Sequence, residues 1–315
     1  MNTYMAPVSV VIPTHDERRW ARLVATVRSV REQSPAPAKV VVAVDHNPEL
    51  LARVRRELPG VTAVGNEHAR GVSGTRNTGV AHTGTPVVAL LDDDTVAHPG
   101  WLAGLVRPFA DPRVVGTGGA IMPGWQRRPD WFPDALLWAV GASETGVSPI
   151  PATVRNVWSG SMAVRREVFT AVGGFRVGFG KVGGRSRPED TELCLRMSRH
   201  TGGHWVHVPL ARVDHSIPDG TVSLRYLLRR CYHEGRGKVE MSRLLGGRDS
   251  LSSEREYLRR TVPLAVGRDL AGAVRGTERH GLARAGTVVA GLAAAAAGGA
   301  VEWLSSSGTR TRRTP

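Results

Sequence analysis

Between residues 8 and 94 the chain alternates four short apolar runs with three segments of helical spacing, and the fourth run ends in three consecutive aspartates. Val8–Ile12, Lys39–Val44, Val61–Val64 and Val87–Leu91 are rich in β-branched residues and read as buried strands. Glu17–Gln33, with Trp20, Leu23, Val24, Val27 and Val30 in helical register, reads as a helix, as do Pro48–Leu58 and Ser73–Ala81. Strands that are apolar on both faces and separated by helices predict a mostly parallel central sheet with helices on both faces. An α/β domain of this kind binds its ligands beyond the carboxyl ends of its strands.

Three adjacent carboxylates at such an end repel one another and lose hydration, so Leu90-Leu91-Asp92-Asp93-Asp94 predicts a cation. Oxygen ligands suit Mg²⁺ or Mn²⁺, ions that share their sites with substrate phosphates. Strand alternation would set Asp92 and Asp94 on one side and Asp93 on the other. Asp94 is therefore assigned to the metal, and Asp92 to the metal or the nucleotide. The alternative is an acidic turn in which Asp93 or Asp94 caps a helix. Pro13-Thr14-His15-Asp16-Glu17 follows the first strand and Asp45-His46-Asn47 the second. Each alone could be a turn or an N-cap. Three polar clusters at one sheet edge point instead to a ligand, with Glu17 and Asp93 as candidate contacts.

From Gly116 to Gly184 glycines, prolines and tryptophans (Trp125, Trp131, Trp138, Trp158) replace the regular pattern, which predicts long surface loops around a pocket. A helix is expected at Asp190–Ser198 and a strand at Trp205–Val208. The histidines 200, 204 and 207 do not read as a metal cluster, because Gly202-Gly203 interrupts any helix that would align them. Gly178-x-Gly180-x-x-Gly183 matches a dinucleotide fingerprint in spacing but lacks the strand and helix that must surround it, and reads as a loop. Beyond Thr221 the chain turns helical and basic, with 13 basic and 7 acidic residues up to His280. Ala285–Val301 is an uncharged, Ala/Gly/Val-rich run just short of the ~18 residues that read as a membrane span. It predicts a helix packed on the protein or lying at a membrane surface, followed by a frayed basic tail.

At these motifs the chain resembles glycosyltransferase family 2. The resemblance rests on Val8-Ser9-Val10-Val11-Ile12-Pro13-Thr14, the strand ending at Asp45, Gly71-Val72-Ser73-Gly74-Thr75-Arg76-Asn77-Thr78-Gly79 and Leu91-Asp92-Asp93-Asp94, in that order, and covers about residues 7 to 220. It implies a GT-A fold, a Rossmann-like catalytic domain over residues 1–220. It also implies inverting transfer from a nucleotide-diphosphate sugar, by family habit a UDP-sugar, with Mn²⁺ or Mg²⁺ as cofactor. A helical C-terminal extension over 221–304 and a disordered tail over 305–315 complete the expected organisation. The resemblance implies that Pro13, Thr14 and Asp45 hold the nucleobase and ribose, that Arg76 and Asn77 lie near the nucleotide, and that Asp92 and Asp94 form the Asp-x-Asp metal site. Gly173-Gly174-Phe175 and Pro188-Glu189-Asp190 resemble the acceptor loop and the Glu-Asp pair of the family, which makes Asp190 the expected base and Glu189 its support. Arg187-Pro188 departs from the family pattern, which often has Gly just before the pair. His215, in Asp214-His215-Ser216, resembles a histidine that the family often places near the metal; the alternative is a hydrogen-bonded loop histidine.

The net charge of +14 bears on partners. Only Lys39, Lys181 and Lys238 are lysine, and no dense basic run occurs, so arginine scattered over solvated faces accounts for the charge without nucleic acid. A basic nucleic-acid-binding protein would leave the triple aspartate unexplained. A sugar-phosphate nucleotidyltransferase would need a glycine-rich, basic loop directly after the first strand. A non-catalytic family member would not need Asp92, Asp94 and Asp190. Two cysteines, Cys194 and Cys231, and no cleavable leader predict a cytoplasmic protein. The basic, apolar C-terminal part adds peripheral contact with the cytosolic membrane face. The acceptor stays open among a lipid-linked, glycan or small-molecule hydroxyl or phosphate.

Overall fold

The computed structural model describes residues 6–143, 150–182, 185–246 and 251–310. Two compact units emerge. The first comprises residues up to 122, 147–184 and 189–216; the second comprises 123–146, 185–188 and 217 onward.

The first unit is a mixed α/β layer structure around a curled sheet. Its strands are β1 (Val8–Thr14), β2 (Lys39–Val44), β3 (Thr62–Gly65), β4 (Val87–Leu91), β5 (Thr95–Ala97), β6 (Val114–Trp125), β7 (Ala152–Val154), β8 (Ser161–Arg165), β9 (Gly180–Val182) and β11 (His204–Ile217), whereas the three-residue β10 (Arg185–Arg187) falls in the second unit. The sheet order is β3-β2-β1-β4-β8-β6-β11-β5, with β7 on β11. The expected parallel pairing holds for β3-β2-β1-β4, whereas β8 turns antiparallel to both β4 and β6. Alternate residues of these strands feed two cores. Val10, Ile12, Val40, Val42, Ala89 and Leu91 pack on one face, against α1 (Trp20–Arg31), α2 (Pro48–Glu57) and α4 (Trp101–Val106). Val11, Val41, Ala43, Val88 and Leu90 pack on the other, where α3 (Val72–Ala81), α5 (Arg166–Ala171) and α6 (Glu189–Thr201) lie. Helices on both faces are what period-two burial of all-apolar strands demands.

Between residues 114 and 217 the loop expectation fails at its start, and the strand expectation holds over a longer range. Gly116, Gly118, Gly119 and Gly124 belong to a twelve-residue strand, not to loops. They keep that strand bare because a Cβ on Gly116 would enter the ring of buried Trp205, and one on Gly118 would strike Val157. The strand expected at Trp205–Val208 runs fourteen residues, so Asp214 and His215 lie inside it and pair with Val96 and Thr95 of β5.

The second unit is helical: α7 (Leu224–Leu245), α8 (Ser252–Glu256), a π-turn at Tyr257–Thr261, α9 (Val262–Val274) and α10 (Gly281–Arg310). The boundary expected at 220 falls at 216–217. Residues 123–146 join this unit because Phe132, Leu136 and Leu137 bury with Ile217, Leu227 and Cys231, with Trp125, Trp131 and Trp138 packed alongside. α10 continues through the tail expected from 305 as far as Arg310; residues 311–315 lie outside the described ones. Arg243 secures it by donating to the carbonyls of Glu302 (3.1 Å) and Trp303 (2.9 Å). With its flanks the apolar run becomes a 25-residue stretch, Gly281–Ser305, of mean hydropathy 1.5, long and apolar enough to cross a membrane by length and composition.

α7 and α10 meet backbone to backbone. A Cβ on Gly235 would collide with the Ala295 carbonyl, and one on Gly298 with the Tyr232 carbonyl. Arg236 locks the pair by a two-pronged contact with Glu302 at 2.7 and 2.9 Å. Gly298→Leu is therefore expected to lower stability by about 1–3 kcal/mol, the usual cost of forcing volume into a packed contact. Urea denaturation checks it; an unchanged midpoint would mean that the helices do not approach this closely.

Candidate active site

The register of β1 on β2 sets Thr14 beside Val44, so the polar segments after both strands open at one edge of the sheet together with the aspartates after β4. Asp92–Asp94 form a turn and not a strand end, which removes the alternation expected of them. Asp93 and Asp94 converge on one atom: Arg19 Nη1 lies 2.9 Å from Asp93 Oδ1 and 3.1 Å from Asp94 Oδ2. Asp92 stands apart from that pair and meets Arg76 instead. Thr14 Oγ1 donates to Asp93 Oδ2 at 2.6 Å within the buried edge. Burial pushes the Asp93 carboxyl above the ordinary carboxylate range, against the pull of Arg19. Asp93 thus ties β1 to the aspartate turn. Pro13 is buried opposite Ala43, and Glu17 turns to Arg53 at 3.0 Å, whose guanidinium stacks over Trp20.

Asp45 is half-buried and accepts from Asn66 Nδ2 (2.7 Å) and from the Gly71 N–H (2.9 Å), with His46 Nδ1 at 2.8 Å. Burial alone would raise its pKa; the hydrogen bonds from His46, Asn66 and Gly71 outweigh it and hold the carboxyl below its usual range. Gly71, at φ 138°, supplies a backbone conformation that side chains rarely adopt and starts α3 there.

α3 carries Arg76, which is 2% exposed. Its Nη2 donates to Asp92 Oδ1 at 2.7 Å and its Nη1 to Glu189 Oε1 at 3.0 Å. The guanidinium carbon lies 5.4 Å from the centre of the Phe175 ring, and Nε is buried without a hydrogen-bond partner. One buried cation thus holds a carboxylate of the aspartate turn and a carboxylate of the Glu189-Asp190 pair. Ser159 Oγ adds a contact to Glu189 at 3.3 Å, and Gly160 leaves room for Asp92, whose Oδ2 would lie 2.9 Å from a Cβ there. Asn77 does different work from that expected near a nucleotide. Its side chain donates to the Phe175 carbonyl (2.8 Å) and accepts from the Phe175 N–H (2.9 Å), clamping the Gly173-Gly174-Phe175 loop.

Glu189 and Asp190 open α6, where the helix dipole favours negative charge. Asp190 is part-exposed, and its Oδ1 accepts from the Thr191 N–H at 2.6 Å. Glu192, one turn on, is fully buried between Arg176 (2.9 Å) and Arg196 (2.7 Å). His215 Nε2 lies 3.4 Å from Asp94 Oδ1, and its Nδ1 is buried without a hydrogen-bond partner.

Among the described residues no three carboxylate, imidazole or thiol groups converge tightly enough to hold an ion unaided. Asp94 and His215 do form a two-group set of an oxygen and a nitrogen donor, with Asp92 in the same turn. That set fits an ion that takes only one or two protein ligands and completes its shell with substrate phosphates. Arg19, which already places positive charge on Asp94, is the residue that sequence reasoning missed. Its signal was a basic residue in the short 3₁₀ turn directly after β1.

The family profile described as Glycosyl transferase family 2 matches residues 9–173. A glucosyl-dolichyl phosphate glucuronosyltransferase of Haloferax volcanii is 33% identical over 244 residues, covering 75% of this chain and 78% of that protein. A pre-mycofactocin glycosyltransferase of Mycobacterium tuberculosis is 29% identical over 171 residues, 53% of this chain and 34% of that one. Among solved structures, a Pyrobaculum calidifontis mannosyltransferase in complex with GDP-Man and Mn²⁺ superposes with a TM-score of 0.56 at 18% identity, over 99% of this chain and 82% of its own. GalNAc-T7 with UDP, GalNAc and Mn²⁺ superposes with a TM-score of 0.54 at 21% identity, over 81% of this chain and 54% of its own.

Proposed function

The chain belongs to glycosyltransferase family 2 and is a glycosyltransferase of GT-A fold, and from that premise we propose that it transfers a sugar, with inversion, from a UDP-sugar to a hydroxyl of a lipid-linked acceptor. The observation that carries the reading is Arg76, one buried cation joining Asp92 to Glu189. In this reading Asp92 lies on the donor side and Glu189 on the acceptor side, and one cation fixes the spacing between them. The lipid-linked acceptor is supported by the Haloferax volcanii relative, whose name carries a dolichyl phosphate. The apolar C-terminal helix supports work at the cytosolic membrane surface.

In this reading Asp45 faces the nucleoside, and the buried Pro13 and Thr14 shape the strand end behind it. Asp94 and His215, with Asp92, hold a divalent ion of the Mn²⁺ or Mg²⁺ class. That ion, when bound, neutralises charge on the departing diphosphate. Asp190 accepts the proton of the acceptor hydroxyl as its oxygen bonds to the anomeric carbon, and the electron pair of the broken carbon–oxygen bond leaves with the diphosphate. Glu189, held by Arg76, keeps the acceptor side anionic and oriented.

Thermal unfolding with a panel of nucleotide sugars tests the donor and the metal together. Ligand at 100 times its Kd adds about 2.7 kcal/mol to stability. A UDP-sugar is expected to raise Tm with Mn²⁺ and to lose that effect in chelator. A shift equal in both conditions would reject the metal, and a shift confined to GDP- or ADP-sugars would reject the nucleotide.

A further inference from the structure

The outward face of α10 is apolar from Leu282 to Leu304. Leu282, Val289, Ala293, Ala297, Ala300 and Leu304 are all exposed and recur at helical spacing, with Leu282 67% and Leu304 63% exposed. Counted at 1.5 Å per residue this stripe is about 33 Å long. The two charged side chains between Leu282 and Leu304 are both turned inward: Arg284 lies 3.6 Å from Asp269 and Glu302 lies 2.7 Å from Arg236. Only 22% of the apolar window is buried, so it is not the core helix of its unit. Trp303, 59% exposed, adds the amphipathic ring typical of a membrane–water boundary.

The other face of α10 decides how such a stripe meets a bilayer. That face is fastened to α7 through Gly235, Gly291 and Gly298. α7 carries Arg225, Arg229, Arg230, Arg236, Lys238 and Arg243 within 22 residues and cannot enter hydrocarbon. Fastened to it, α10 cannot cross. Its apolar face can lie in the plane of the surface, sunk about 5–10 Å into the boundary between headgroups and acyl chains. The surrounding charge names the lipid. Arg275 and Arg279, on the short segment that leads from α9 into α10, are exposed, and α9 exposes Leu264 (73%) and Val274 (87%). A second copy docked by a two-fold axis would gain nothing from these arginines, whereas an anionic leaflet complements them.

We propose that the exposed face of α10 docks the protein in-plane on an anionic bilayer, giving the transferase its access to a lipid-linked acceptor. The proposal rests on the lipid-acceptor reading for its purpose but not for its test. Full-length protein is mixed with vesicles of phosphatidylcholine, with or without phosphatidylglycerol, and floated. Binding is expected only to the anionic vesicles and is expected to be released by high salt. The variant V289E/A297E changes two exposed positions and should fold and bind nucleotide sugar as before. Its vesicle binding should fall about tenfold or more, because each glutamate would enter the acyl boundary. Equal binding by the variant, or no binding by the parent, overturns the proposal. So does resistance to carbonate extraction, which would mean a true span, or self-association that the variant abolishes, which would make a second copy the occupant. If flotation behaves as expected but detergent-solubilised lipid acceptors are never glycosylated, the lipid-acceptor reading fails and the docking surface stands.

Discussion

Replacing Asp190 by Asn is expected to lower the transfer rate by about 10²–10⁴ and to leave nucleotide-sugar affinity nearly unchanged, as loss of a general base does. An amide oxygen can still accept the Thr191 N–H, now bonded at 2.6 Å, so this contact at the start of α6 is kept. What the amide cannot do is take a proton. Glu189 is the poorer choice of base on geometry. Its Oε1 is already engaged by Arg76 at 3.0 Å and Ser159 at 3.3 Å. Single-turnover transfer beside calorimetric donor binding separates the two effects. A variant that keeps more than about a tenth of the rate would move the base elsewhere.

The residues that the sequence made legible are those whose role follows from chain-local chemistry. β2 and β4 occur at the expected residues because continuous β-branched runs between turn signals have few other solutions. The polar clusters after β1, β2 and β4 lie at one edge because parallel register demands it. What stayed hidden depends on partners far away in the chain. The glycines of β6 look like loop signals until Trp205, about ninety residues on, fills the space they leave. Asn77 looks like a ligand contact until the Phe175 backbone takes both its donor and its acceptor. Asp93 and Asp94 share a side because a turn, not a strand, carries them, and Arg19 reaches back from the next turn to meet both. Residues 123–146 join the C-terminal unit through side-chain burial with Ile217 and Leu227, which no local pattern announces.

Arg76→Met is expected to cost about 3 kcal/mol of stability, near the lower end of what breaking a buried charge network costs. The guanidinium is 2% exposed and neutralises two carboxylates at 2.7 and 3.0 Å. Met fills the volume and keeps contact with Phe175, so the loss measures the charge and not a cavity. The two carboxylates do not weigh equally. Asp92, with a side chain 37% exposed, regains water, and its share is discounted accordingly; Glu189, at 16%, is left largely dry. The greater part of the cost therefore sits on Glu189, and neutralising that residue should return it. R76M/E189Q is expected to recover at least half of the loss, although it remains inactive, because a buried amide is far less costly than a buried unpaired carboxylate. Urea unfolding of the parent, both single variants and the pair completes the cycle. A double variant no more stable than R76M would show that Arg76 supports the fold through packing alone, and the coupling of donor-side to acceptor-side carboxylates by one cation would have to be abandoned.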